Sequence, residues 1–270
     1  YLVQATDDDN DLAVRTQGDR DVQAVEKNED QFSPEVPSGS TSPQPGPADQ
    51  ALSRRSTMNY FGDTVWTSYA RQPAASLIGL PQAQSRNWTG AGTVAIIDSG
   101  VDPNHPVLRR VLLPGYDFTR DRSGASEYSD LDSQSAAALT QSTTAFLDSG
   151  QAIPVNDYSM AVLSQSTTAF LDAGKLPEGF GHGTMVAGLV HLVAPHARIL
   201  PLKAFLADGR SNTFDILRAI YYASNQGARV INMSFNMKEP SAELSRAIAY
   251  AEARGAICVA SAGNDGNEII

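Results

Sequence analysis

Apolar and polar positions fall into blocks at Thr93–Ile97 and again from Met185 onward in this 270-residue chain. Thr93-Val-Ala-Ile-Ile97 is a short apolar run rich in β-branched residues and bounded by glycine turns. That pattern predicts a strand buried on both faces of a parallel sheet. From Met185 to Val193 the chain is apolar on almost every helical face, through Met185, Val186, Ala187, Leu189, Val190, Leu192 and Val193. A helix of this kind is predicted to be buried all round. Alternating units follow. Arg198–Phe205 reads as a strand. Ser211, Asn212 and Thr213 offer an N-cap to a helix that turns Phe214, Ile216, Leu217, Ile220 and Tyr221 inward and stops at Gly227. Arg229–Met233 is the next strand. Ser241 caps a helix with Leu244, Ala247, Ile248 and Ala251 on one face, ended by Gly255, and Ala256–Ala260 is a further strand. Strands and helices alternating at this spacing predict an α/β fold, a parallel β-sheet flanked by helices. The alternation breaks off at Ile270 with nothing to close the layer, so the fold is read as truncated at its C-terminal end.

The first half is less regular. Residues 1–57 hold eleven acidic and five basic residues, few aromatics, and prolines at 34, 37, 43, 45 and 47. This is the composition of a disordered acidic linker or a propeptide remnant. Aromatics return at Tyr60, Phe61, Trp66 and Tyr69, which marks the entry into a folded domain spanning 58–270. Pro73–Ala83 reads as a short helix. Residues 119–178 look like an insertion. It contains a repeat, Leu139–Gly150 against Leu163–Gly174, with ten of twelve positions identical. Two copies are too few for a solenoid; the readings are a surface insertion without its own activity, or a flap bordering the site or a docking surface.

Charge removes some functions. A net charge of −10 and a pI near 4.8 argue against nucleic acid and anionic membranes as partners. No run of about 18 apolar residues predicts a membrane span. The chain starts at Tyr1 without a signal peptide, as a mature form or a fragment would. The lone Cys258 allows no internal disulfide, and its apolar neighbours predict a buried core thiol. No cofactor is called for. A structural calcium stays open: Asp7–Asp11 lacks the glycine and distal glutamate of a calcium loop, and Asp117, Asp121, Glu127, Asp130 and Asp132 match no loop spacing.

The chemistry gathers at three points. Asp98 ends the first buried strand, where α/β proteins place their reactive groups. His182 opens the apolar helix, where the positive end of the helix dipole favours a neutral, proton-accepting imidazole. Asn264 ends another strand in a glycine-flanked turn. An aspartate to orient a histidine, a histidine to shuttle a proton and an amide to face an oxyanion are what acyl transfer requires.

Val94-Ala-Ile-Ile-Asp-Ser-Gly-Val-Asp102, continued by His105-Pro-Val-Leu108, resembles the aspartate motif of subtilisin-like serine proteases, the subtilases. Gly181-His-Gly-Thr-Met-Val-Ala-Gly188 resembles their histidine motif. Ala194-Pro-His-Ala-Arg-Ile199, the cleft strand Ile231-Asn-Met-Ser234 and the oxyanion segment Ala260-Ser-Ala-Gly-Asn264 fit as well. The resemblance runs from about Thr89 to Gly266. It implies a subtilisin-like fold, Asp98 as orienter, His182 as general base and Asn264 as oxyanion donor. It also implies contacts to an extended polypeptide substrate at Ser234, Phe235, Asn236, Ser261 and Gly263, no catalytic metal, and secretion. Two departures stand out. The family's nucleophile lies in a Gly-Thr-Ser motif, which occurs nowhere here; the expectation is a serine endopeptidase whose serine lies beyond this chain, with the chain alone inactive. The alternative is a catalytically dead, subtilase-like binding module. Secondly, Phe235-Asn-Met237 stands where the family commonly has glycines, which is expected to reshape the specificity pocket.

Overall fold

The computed structural model describes residues 22, 25–32, 56–133, 177, 179–235 and 240–261. In chain order these form β1 (Asp30–Phe32), β2 (Thr57–Tyr60), β3 (Asp63–Trp66), α1 (Thr67–Ala70), α2 (Pro73–Leu77), α3 (Leu80–Ser85) and β4 (Thr93–Asp98). After β4 come β5 (Tyr116–Asp117), β6 (Arg122–Ser123), a 3-10 turn (Glu127–Asp130), α4 (His182–Val193), β7 (Arg198–Lys203) and β8 (Arg210–Asn212). The order closes with α5 (Thr213–Asn225), β9 (Val230–Met233), α6 (Ala242–Ala253) and β10 (Ile257–Ala260).

Among the described residues, six strands make the central sheet, in the order β10-β9-β4-β7-β5-β6. All neighbours are parallel except β5 and β6, which form an antiparallel hairpin at one edge. Strand alternation then assigns the layers. Ala95 and Ile97 of β4 point into a core shared with Leu200, Leu202, Ile216, Ile220, Ile231 and Ala247, the face covered by α5 and α6. Val94 and Ile96 point the other way, onto Ala187 of α4, Ile199 and Leu108. A strand buried on both faces needs no polar positions, which is why Thr93–Ile97 reads as a continuous apolar run. The fold predicted from the sequence is therefore found: parallel strands in a mixed sheet, with helices on both sides.

The caps form as predicted. Asn212 accepts the Asp215 amide at 3.0 Å and Ser241 accepts the Leu244 amide at 2.9 Å. Gly227 and Gly255 leave their helices with φ of 72° and 86°, the left-handed turn that favours glycine.

Three features differ from the sequence reading. The helix α4 is not covered all round: Leu189 and Val193 are each 45% exposed, because the described elements pack on its opposite side. Cys258 is half-buried rather than buried. Pro73–Ala83 is two helices, not one, because Gly79 breaks the run with φ of 70°. Of residues 119–178, read as an insertion, those described show β6 paired with β5 at the sheet edge and Ala125 and Glu127 buried.

Residues 25–32, inside the stretch read as an acidic linker, also dock on the domain. β1 pairs antiparallel with β8. Asn28 accepts the Phe214 amide at 2.9 Å at the start of α5. Glu26 accepts the Ala242 and Glu243 amides at 2.8 and 3.1 Å and the Ser241 hydroxyl at 2.7 Å at the start of α6. A carboxylate on the free N–H groups of a helix start is favourable both as a hydrogen-bond acceptor and as a charge. The repeat at 139–150 and 163–174 lies outside the described residues.

Candidate active site

The strand order determines where a site can form. β7 lies on one side of β4, and the chain then crosses through α5 to place β9 on the other. The carboxyl end of β4 is thus a point where the winding reverses, and a crevice opens there. Asp98 is the last residue of β4. His182 is the first residue of α4, which packs on β4.

The two meet. His182 Nδ1 lies 2.8 Å from Asp98 Oδ1, and the residues are 5% and 3% exposed. A carboxylate oxygen can only accept, so Nδ1 carries the proton and Nε2 is left as the basic nitrogen. Asp98 Oδ1 also accepts the Ser99 amide at 2.7 Å. The Ser99 hydroxyl donates to the Gly179 carbonyl at 2.9 Å, which ties the loop after β4 to the turn that leads into α4. The shallow crevice above the pair is lined by Asp98, Ser99, Gly179, His182, Phe205 and Ser234.

The glycines around His182 have a steric reason. Gly181, the N-cap of α4, has φ of 83°. A β-carbon on Gly183 would collide with the Gly100 carbonyl oxygen and lie 2.9 Å from Asp98 Oδ1. A β-carbon on Gly179 would lie 2.8 Å from the Gly209 amide nitrogen. The motif is thus a set of close backbone approaches that lets the helix start reach the strand end.

A lysine supports the strand end from beneath. Lys203 is fully buried and sits beside Asp98 in the β4–β7 register. Its ammonium donates to the Ser99 and Phe205 carbonyls at 2.5 and 2.9 Å and pairs with Asp130 at 3.1 Å. Burial pulls its pKa down, and the Asp130 carboxylate opposes that.

The predicted substrate positions separate. Ser234 lines the crevice. Phe235 is buried, its ring centroid 5.2 Å from that of Phe205. Ser261 is exposed at the end of β10, its amide donating to the Met233 carbonyl at 3.3 Å. Asn236, Gly263 and Asn264 lie outside the described residues. Of the other histidines, His105 is buried with Nδ1 facing the Val107 and Leu108 amides. His191 packs edge-on to Tyr60, and its pKa is lowered by burial; His196 bonds Thr89 at 2.8 Å.

The carboxylates read as calcium candidates have protein partners. Asp117 accepts the Thr119 and Ser129 hydroxyls at 2.6 and 3.0 Å. Asp121 accepts from Tyr116 and Arg218. Asp130 accepts the Ala207 amide at 2.5 Å. Among the described residues, no three acidic, histidine or cysteine side chains converge on one point. Sequence reasoning gave Lys203 and Thr184 no role at the pair and weighed Glu127 only as a calcium ligand, although all three are buried polar groups near it. The Thr in Gly-His-Gly-Thr was the available signal for the second.

These features define an α/β protein with a buried acid–imidazole pair at the switch point of its sheet. The subtilase family model matches residues 90–269, more than half of the chain, and the chain belongs to that family. It is 30% identical over 215 residues to a thermophilic serine proteinase of Bacillus sp. (strain AK1), covering 76% of this chain and 41% of that protein. It is 27% identical over 208 residues to thermitase of Thermoactinomyces vulgaris, covering 73% and 56%. The chain thus spans about half the length of these relatives. Among solved structures, a lanthipeptide protease is similar with a TM-score of 0.49 and 21% identity, over 74% of this chain and 47% of that one.

Proposed function

We propose that the protein is a serine endopeptidase of the subtilisin type, with residues 1–270 supplying the orienting aspartate and the histidine base of an Asp-His-Ser triad. The observation that carries the reading is the buried 2.8 Å contact between His182 Nδ1 and Asp98. It leaves Nε2 as the base, the nitrogen that would take a proton from a serine hydroxyl and return it to the leaving amine. In this reading the serine comes from residues outside this chain, and Asn264 donates to the oxyanion. The crevice edge at Ser234 pairs with an extended polypeptide, as added strands do. Residues 1–57 act as a propeptide remnant, with the docked stretch 25–32 as its attachment, and the protein works outside the cytoplasm. The Bacillus relative is named as a serine proteinase, which supports the class of reaction.

The test is hydrolysis of a peptide ester by the product of the complete reading frame. His182→Ala should lower kcat by about 10³-fold or more, since a triad without its base retains only binding and oxyanion stabilisation. The isolated 270-residue chain should show no His182-dependent rate. A complete product whose rate is indifferent to His182 would leave the binding-module alternative.

A further inference from the structure

Beneath the Asp98–His182 pair lies a second carboxyl that the proton-transfer scheme does not use. Glu127 is 1% exposed. Its Oε2 accepts the Thr184 hydroxyl at 2.5 Å. The same hydroxyl oxygen accepts the Asp102 amide at 2.8 Å. Thr184 lies two residues after His182, and Asp102 four after Asp98. The chain Glu127–Thr184–Asp102 therefore joins the loop behind one member of the pair to the first helical turn behind the other. Backbone contacts hold the same loops together. The Val101 amide donates to the Ala125 carbonyl at 2.8 Å. Gly100, at φ 99°, passes so close that a β-carbon would lie 2.8 Å from the Glu127 nitrogen.

The direction of the relay matters. A hydroxyl has a single proton and can rotate. By taking that proton, Glu127 turns the Thr184 lone pairs toward Asp102. Without an acceptor at 127, the rotor is free and the Asp102 bond loses its fixed partner. A buried carboxyl is costly to keep in an apolar setting, and here burial, with the nearby Asp102 charge adding to it, raises its pKa to about 8.

We propose that Glu127 is a positioning residue for the Asp98–His182 pair: by holding the Thr184 proton it fixes the separation of the strand end that carries Asp98 from the helix turn that carries His182. The proposal rests on reading that pair as the proton-handling part of a protease. It is tested first without catalysis, on the 270-residue chain. The low-field proton NMR signal of the His182 Nδ1–H bonded to Asp98 is assigned by its loss in His182→Gln. Thr184→Val, of the same size, and Glu127→Leu should abolish or broaden that signal in the folded protein. Thr184→Ser and Glu127→Gln, which keep a hydroxyl and an acceptor, should restore it. A sharp, unshifted signal in Thr184→Val would overturn the proposal, whether or not Glu127→Leu folds, because a role in packing alone lowers stability without moving the signal. In the complete enzyme Thr184→Val should lower kcat by about 10–100-fold at unchanged KM, the size expected of a misplaced reactive group. If the complete product hydrolyses nothing, the protease reading fails while the NMR result still judges Glu127.

Discussion

At Gly183, a methyl group would need space already taken by the Gly100 carbonyl and the Asp98 carboxylate. Both are held, the first by the loop after β4 and the second by Ser99 and His182, so neither can move cheaply. Gly183→Ala is expected to cost about 1–3 kcal/mol, the range of overpacking, measured as a lowered urea midpoint. It should also lengthen the His182–Asp98 contact, read as loss of the same low-field proton signal. At this scale the sequence was informative where chemistry and sterics were written into adjacent residues. Asp98 and His182 each stand in a motif whose glycines mark close approach. Glu127 is different. Nothing in Ser126-Glu-Tyr128 distinguishes it from a surface acid, and its partners Thr184 and Asp102 are distant in sequence. Only the folded chain brings them together.

Elements were legible in proportion to how locally they are determined. α5 and α6 carry their own caps and their own apolar faces, and both form where the pattern placed them. β4 is legible because its apolar run is short, rich in β-branched residues and bounded by glycines, which favours a doubly covered strand over a buried helix. The hairpin β5–β6 is not, since two-residue strands leave no periodicity to read. The burial of α4 was overread. Its apolar composition holds on every face, yet cover depends on which elements pack against it. The docking of residues 25–32 had no local signal either, because an acidic residue that caps a distant helix has the composition of a linker. Its contribution can be measured. Glu26→Ala leaves the Ala242 and Glu243 amides without their side-chain acceptor and should cost about 0.5–2 kcal/mol, as lost N-terminal caps do. Urea unfolding followed by circular dichroism checks this; an unchanged midpoint would mean that water replaces the carboxylate without loss.

For the whole molecule, Glu127 sets a pH dependence. Its pKa is raised from 4.5 in the unfolded chain to about 8 in the fold. Between these values the folded state binds a proton that the unfolded state has released. Its contribution is therefore full below pH 4.5 and is lost as pH rises to about 8, with a slope of up to about 1.4 kcal/mol per pH unit. Asp215, also raised by burial, acts in the same direction. Glu127→Gln removes the titration while keeping an acceptor for Thr184. The difference in unfolding free energy between wild type and Glu127→Gln should therefore change steadily between pH 5 and 8. A constant difference would show that the carboxyl is already ionised in the fold.

The strap at residues 25–32 has a kinetic consequence. Its contacts join positions from 178 residues apart (Phe32 with Arg210) to 217 apart (Glu26 with Glu243), so closing it requires confining most of the chain, at an entropic cost of about 5 kcal/mol for a loop of that length. Contacts within the sheet and between β4, β7 and α5 span shorter stretches and form without it. Assembly then has an order: the layered domain condenses first and presents the two capped helix starts, and the strap zips on last. Reversal follows the same route, so amide exchange should release the β1–β8 ladder while the β4–β7 ladder remains protected.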